Sequence, residues 1–249
     1  MMKNLHEFIR KNMELAITDF NMIQPGDRIL VAISGGADSF TLLKVLSGRK
    51  IFTPQDISLV AVHIDLGFQG SDTSHLDRLQ AYFEAHGLEY FIDRTNIGVY
   101  AHSEANRKKP CFLCSRLRRK RLFELAEQFN CQKIALGHHK DDIIETLLIN
   151  MFFAREIATI NPNQSLFKGR LHLIRPLAYI WEQKIKRYAQ LNDFPIFENK
   201  CPTAKTSHRG LVKELLRDLE RKQRGVKENI YKSLRHVKKN YLWEIDERE

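Results

Sequence analysis

Apolar residues first recur at helical spacing. Leu5, Phe8, Ile9, Met13, Ala16, Ile17 and Phe20 predict a helix over 5–20, and Gln24-Pro25-Gly26-Asp27 is turn chemistry that ends it. The period then changes. Arg28-Ile29-Leu30-Val31-Ala32-Ile33 is a near-continuous apolar run, as expected of a strand buried on both faces, and residues 40–46 read as a helix that follows a stretch of small residues. The alternation continues with strands at 59–63, 88–92, 133–136 and 171–175 and helices at 72–86, 115–129, 140–153 and 181–191. Asn161-Pro162-Asn163-Gln164 reads as a surface loop, and from Thr206 onward the chain reads as helical and basic. Strands alternating with helices predict an α/β fold, a parallel sheet with helices on both faces, because parallel neighbours need crossover connections. Without internal repeats or a low-complexity linker, the expected organisation is a helical segment at 1–27, an α/β domain at 28–200, and a basic helical segment at 201–249 packed on that domain.

Composition narrows the class. The 249 residues are 43% hydrophobic, enough for a substantial core, yet no stretch approaches the roughly 20 apolar residues of a membrane span. The first residues lack a signal-peptide pattern, so the expected setting is cytoplasmic, with no membrane partner. A net charge of +10 favours polyanions, nucleic acid first among them. Four cysteines, Cys111, Cys114, Cys131 and Cys201, are too few and too irregular for a disulfide framework.

The small residues after the first strand are Ser34-Gly35-Gly36-Ala37-Asp38-Ser39. Gly35 and Gly36 let backbone N–H groups approach phosphate oxygens, and the following helix turns its positive end toward them. Asp38 repels phosphate, so its expected role is to hold Mg²⁺ on a nucleotide, with Ser34 and Ser39 donating hydroxyl hydrogen bonds. A glycine turn with Asp38 as a helix cap is the structural alternative. The loop is neither a Walker A motif nor a dinucleotide fingerprint.

Cys111-Phe112-Leu113-Cys114 has a spacing that lets both sulfurs reach one centre, and zinc, an iron–sulfur cluster and a redox disulfide all use it. Cys131 opens a strand and is expected to be a small core residue. In Gly137-His138-His139-Lys140-Asp141-Asp142 the glycine is expected to approach the nucleotide and Asp142 to orient Mg²⁺ or the substrate; capping of the next helix by either aspartate is the alternative. Arg209, Lys213, Arg217 and Arg221 recur every four residues opposite Leu211, Val212, Leu215, Leu216 and Leu219, so one helix face packs and the other is cationic. With Arg107, Lys108, Lys109, Arg116, Arg118, Arg119, Lys120 and Arg121 beside the CxxC, these residues suit a phosphodiester backbone; Arg116, Arg119, Arg209, Lys213 and Arg217 are the candidate RNA contacts. A solvated helix face tempered by Glu214 and Asp218 is the alternative for the second row. Phe112, Tyr100, Tyr179 and Tyr231 are the candidates for stacking on bases, and the sequence does not choose among them.

The Ser34–Ser39 hexapeptide resembles the SGGxDS signature of the PP-loop ATP pyrophosphatases. PCFLCSRLRR at 110–119, IALGHHKDD at 134–142, the continuation IIETLLINMF, and IRPLAY at 174–179 resemble, in order, the blocks of the TtcA-type tRNA cytidine 2-sulfurtransferases, over about residues 28–220. Ala37 stands where that family typically has lysine, and Asn199-Lys200-Cys201-Pro202 replaces its Cys-x-x-Cys-Gly context, displacing the third cysteine by one residue.

The resemblance implies ATP and Mg²⁺ at Ser34, Gly35, Gly36, Asp38, Ser39, His63 and Gly137, with adenine near 61–65. It implies a 4Fe-4S cluster on Cys111, Cys114 and Cys201 with one iron open, and Asp38, Asp142 and Arg118 near the reacting atoms. Its implied partners are tRNA and a sulfur donor system such as a cysteine desulfurase, and it is compatible with a homodimer. The expected reaction adenylates the C2 oxygen of a cytidine in the anticodon-loop region and replaces it with sulfur. A sulfurtransferase acting on another base or a small molecule, a lysidine-synthetase-like ligase with structural cysteines, and a non-enzymatic redox or RNA-binding module are the alternatives.

Overall fold

The computed structural model describes residues 2–48, 56–68, 72–106, 108, 110–198, 201–202 and 208–242. Arg107, Lys109, Asn199, Lys200 and Thr206, used above, lie outside the described residues.

The strands are β1 (Arg28–Ile33), β2 (Ser58–Asp65), β3 (Glu89–Arg94), β4 (Lys133–Ala135), β5 (Asn163–Leu166) and β6 (Leu171–Ile174), and they form one sheet in the order β3-β2-β1-β4-β6-β5. Every pairing is parallel except β5 with β6. β1 is central, so its Ile29, Leu30 and Val31 are wholly buried. Helices α1 (Met2–Asp19), α2 (Ala37–Leu46), α3 (Ser74–Ala85) and α7 (Glu182–Ala189) contribute Ile9, Met13, Phe40, Leu79, Phe83 and Ile185 to one core. On the other face, Leu125 and Ala126 of α5 (Pro110–Gln128) pack with Leu30, Val60, Ile134 and Leu173. Cys131 is buried in that second core, which pushes its thiol pKa up to about 11. Arg121 of α5 ties the helix to β3 through a two-pronged pair with Asp93, at 2.7 and 3.1 Å.

Several elements differ from the expectation. α5 begins at Pro110 rather than near 115, because its first turns expose most of their side chains and carry little apolar signal. Proline suits a first helical position, where its missing N–H would have no partner anyway. α4 (Ile97–Ala101) was not expected. The loop expected at 161–164 runs into β5, a polar edge strand pinned by Asn163 to the Phe20 and Asn21 carbonyls at 2.9 and 3.0 Å. α6 (Lys140–Ile149) gives way to a π-helical turn, Asn150–Ala154, closed by Arg155 at φ 60°.

The chain divides into two compact units. Met1–Lys140 and Ile160–Thr206 form the first, and Asp141–Thr159 with Ser207–Glu249 the second. The second unit therefore joins most of α6 to α8 (His208–Lys222) and α9 (Val226–Ser233). In α8 only Val212 and Leu216 of the apolar stripe are buried, while Leu211, Leu215 and Leu219 are exposed. Among the described residues, no helix is long and apolar enough to cross a membrane.

Candidate active site

β1 is flanked by β2 on one side and β4 on the other, with connections leaving in opposite directions. Ligands of open parallel sheets sit at such a switch point, beyond the carboxyl ends of the strands. The chain there is Ser34 to Gly36, followed by α2, whose first turn holds Asp38. Gly35 has φ +88°, which an L side chain rarely adopts.

The loop is braced from within. The Ser39 hydroxyl donates to the Gly36 carbonyl at 2.9 Å and accepts from the Ser34 N–H at 3.2 Å. Ser39 thus braces the loop through its hydroxyl. Gly137 approaches the loop rather than open space: a β-carbon there would lie 3.1 Å from the Ser39 nitrogen and the Asp38 carbonyl carbon. Two residues on, His139 Nε2 stands 3.6 Å from an Asp38 carboxylate oxygen. The Gly-His-His segment therefore abuts the phosphate loop through Gly137 and His139. The sequence had assigned His139 no catalytic proton transfer.

His63, on β2, is buried and donates from Nδ1 to the Ile33 carbonyl at 2.8 Å; a carbonyl only accepts, so Nδ1 carries the proton. Burial pushes its pKa down, with the Ile33 bond opposing. The Phe197 ring, missed by the sequence reading, lies edge-on to His63 at 5.4 Å and 4.7 Å from the ring of His75, which is also buried. No hydrogen-bond partner is found among the described residues for His63 Nε2 or either His75 nitrogen. These nitrogens leave polar capacity beside the loop for a ligand or water.

Four residues beyond Phe197 is Cys201. Its sulfur lies 3.7 Å from His102 Nε2, and His102 Nδ1 is 2.9 Å from the Gly98 carbonyl of α4. Cys111 and Cys114 occupy the first turn of α5, one turn apart, and so share a face. Burial is the main cause that raises the Cys114 pKa; Arg118, one turn further along, lowers it, while Cys201 and Cys111 raise it further. Arg118, Cys201 and Cys111 therefore all lie within electrostatic reach of the Cys114 thiol. None of the three cysteines is joined in a disulfide. Among the described residues no three His, Cys, Asp or Glu side chains are placed to hold a single metal ion. A cubane cluster takes its cysteines on separate irons, so three thiols in electrostatic reach fit that donor set. Arg116, Arg118 and Arg119 are exposed on α5.

In the second unit, Asp142 pairs with Arg209 at 2.9 Å, Glu145 lies 3.8 Å from the same guanidinium, and Asp141 pairs with Lys227. The structure thus joins a predicted catalytic residue, Asp142, to a predicted RNA contact, Arg209, and commits that cation to carboxylates. Glu145 is buried, and its pKa is raised chiefly by that burial, with Arg209 opposing. Lys213 is exposed, and Arg217 pairs with Glu214 at 3.2 Å.

A parallel sheet with this glycine-rich loop at its switch point defines a PP-loop nucleotide-binding protein, and a family model described as a PP-loop domain matches residues 5–219. A curated tRNA-cytidine(32) 2-sulfurtransferase from Enterobacter sp. (strain 638) is 36% identical over 98% of this chain and 78% of its own length. One from Klebsiella pneumoniae (strain 342) is 37% identical over 97% of this chain and 78% of its own length. The U34-tRNA thiolase NcsA from Methanococcus maripaludis, solved with its 4Fe-4S cluster, superposes with a TM-score of 0.74 at 22% identity, over 98% of this chain and 86% of that one. The chain belongs to the PP-loop family, among the tRNA-cytidine(32) 2-sulfurtransferases, a family of enzymes.

Proposed function

We propose that this protein uses ATP to replace the C2 oxygen of a tRNA cytidine with sulfur, giving 2-thiocytidine. The observation that carries the reading is that Arg118, Cys201 and Cys111 all lie within electrostatic reach of Cys114, in the unit that holds the phosphate loop, where the chain leaves Gly35 at Phe197 and reaches Cys201 four residues later. The curated relatives act on cytidine 32 of tRNA by their names, and the NcsA neighbour is a tRNA thiolase.

The amides following Gly35 and the N-terminus of α2 face the phosphates of ATP. Asp38 is the loop's carboxylate, and one carboxylate completed by substrate phosphates is an ordinary Mg²⁺ donor set; the ion would neutralise charge on the leaving pyrophosphate. The cytidine C2 oxygen attacks the α-phosphorus, forming a C–O–P link as the bond to pyrophosphate breaks. A sulfur nucleophile at the oxidation level of sulfide then attacks C2, and the C–O bond breaks with AMP as leaving group. Cys111, Cys114 and Cys201 would hold the 4Fe-4S cluster, which when bound supplies a centre able to carry that sulfur. Burial raises the pKa of the Cys114 thiol, and Arg118 opposes that rise, on the side of the thiolate that any metal ligand must be. A donor system of the cysteine desulfurase type supplies the sulfur.

With anaerobically reconstituted protein, unmodified tRNA, ATP, Mg²⁺ and sulfide, AMP release should depend on tRNA and match the thiocytidine formed. Cys111→Ala should still bind ATP but form none. AMP release without thiolation in the unaltered protein would point instead to a ligase with structural cysteines.

A further inference from the structure

A large share of the chain's excess positive charge lies in one stretch beside the cysteines. Between Glu104 and Glu124 there are eight Lys and Arg residues and no Asp or Glu, against a net charge of +10 for the whole chain. In this stretch Cys111 and Cys114 open α5, with Arg116, Arg118, Arg119 and Lys120 exposed behind them. Two large aromatic side chains share the neighbourhood and face solvent: Phe112, beside Cys111, is 65% exposed, and Tyr100 on α4 is 59% exposed. α4 packs on α5, and it leads to His102, whose ring reaches Cys201. Asn106 donates to the Tyr100 carbonyl at 3.1 Å, holding the connection between the two helices.

The other aromatic candidates are engaged elsewhere. Tyr179 donates its hydroxyl to Asp19 at 2.6 Å and sets its ring against Phe20, and Tyr231 has its phenol pKa raised by burial. An exposed aromatic is costly to leave in water, and a cationic surface around it repels most protein partners of like charge while attracting phosphate. Unpaired RNA bases stack on such rings, while the backbone between them seeks arginine and lysine.

We propose that Phe112 and Tyr100 form a stacking platform that receives unpaired bases of a single-stranded RNA loop and holds them beside the thiols, with Arg116 and Arg119 taking the flanking phosphates. The platform rests on the tRNA reading above and names the surface that presents the loop. Exposed Phe152 supplies a control. Its segment, Asp141–Thr159, carries four carboxylates and one arginine, which suits phosphate poorly.

The test is fluorescence anisotropy of the full-length protein with a labelled anticodon stem–loop RNA and with a blunt duplex of the same stem. Phe112→Ala and Tyr100→Ala should each weaken stem–loop binding about tenfold, within the usual range for one stacked base, and leave duplex binding unchanged. The slope of log affinity against log salt should stay at the unaltered value in both. Arg116→Ala and Arg119→Ala should each reduce that slope by about one. Phe112→Trp should restore affinity, and Phe152→Ala should change nothing. The platform is overturned if the aromatic variants bind the stem–loop as the unaltered protein does, or lose stem–loop and duplex affinity equally. A changed sedimentation coefficient in Phe112→Ala would assign the patch to a contact between copies and overturn it also. If the unaltered protein shows no preference for the stem–loop over the duplex, the tRNA reading falls, and the platform with it.

Discussion

Phe197 sets its ring directly against the α-carbon of Gly35 and donates its own N–H to the Gly35 carbonyl at 3.1 Å. A β-carbon at Gly35 would lie 2.5 Å from the Phe197 Cζ. One residue of the phosphate loop is therefore shaped by a segment far along the sequence, and that segment continues to Cys201.

Gly35→Ala meets two penalties, the positive φ and the ring. The backbone alone costs about 1–2 kcal/mol for a residue with a side chain, and the ring must also move. The variant should unfold a few degrees lower and bind ATP more weakly, as measured by calorimetry. Adding Phe197→Ala removes the clash but not the φ strain, so the double variant should recover part of the loss. Full additivity of the two substitutions would show that the ring does not shape the loop.

His63 links folding to pH. Its pKa is lowered in the folded state from the ordinary 6.5, chiefly by burial, so the unfolded chain binds the proton more readily. The stability this group contributes is therefore complete above about pH 6.5 and is lost as pH falls toward the lowered value. Thermal unfolding of the protein followed from pH 7.5 to 5 should show a fall that His63→Gln makes shallower. An identical pH profile in the variant would contradict the assignment.

Glu145 works in the opposite sense. Burial raises its folded pKa above the ordinary carboxylate value, so the folded state holds a proton that the unfolded chain releases, and stability declines as pH rises through the interval between the two values. Arg209 narrows that interval by favouring the carboxylate. Arg209→Gln should widen it and lower the melting temperature of the protein at neutral pH, where Glu145 and Asp142 lose a cation partner. Arg209→Gln with Glu145→Gln should recover part of that loss, as a double-mutant cycle in thermal unfolding would show.

The sheet was legible in the sequence because its strands are unusually apolar: 28–33 and 59–63 could hardly be anything but buried parallel strands. β5 was not, since Asn163, Gln164 and Ser165 carry no apolar alternation, and an edge strand held by side-chain hydrogen bonds leaves no such signal. The start of α5 was hidden for a similar reason. Most side chains of its first turns face water, so the CxxC read as a loop before a helix when it is the helix's first turn. In the site, the Ser34–Ser39 hexapeptide and the cysteines stood out as motifs with their own chemistry. Phe197, His75, His102 and the Asp38–His139 approach did not, because each matters through a partner distant in sequence. In the cationic row of α8, spacing every four residues marks a face but not the partners of each residue, and the pairing of Arg209 with Asp142 left no signal in the sequence.

The most direct test of cytidine thiolation is mass spectrometry of tRNA nucleosides from cells with the gene intact, with it deleted, and with the deletion complemented by the unaltered protein or by Cys111→Ala. 2-Thiocytidine should vanish on deletion, return with the unaltered protein and stay absent with Cys111→Ala. A thionucleoside profile untouched by deletion, or full restoration by Cys111→Ala, would contradict sulfur transfer to tRNA through these cysteines.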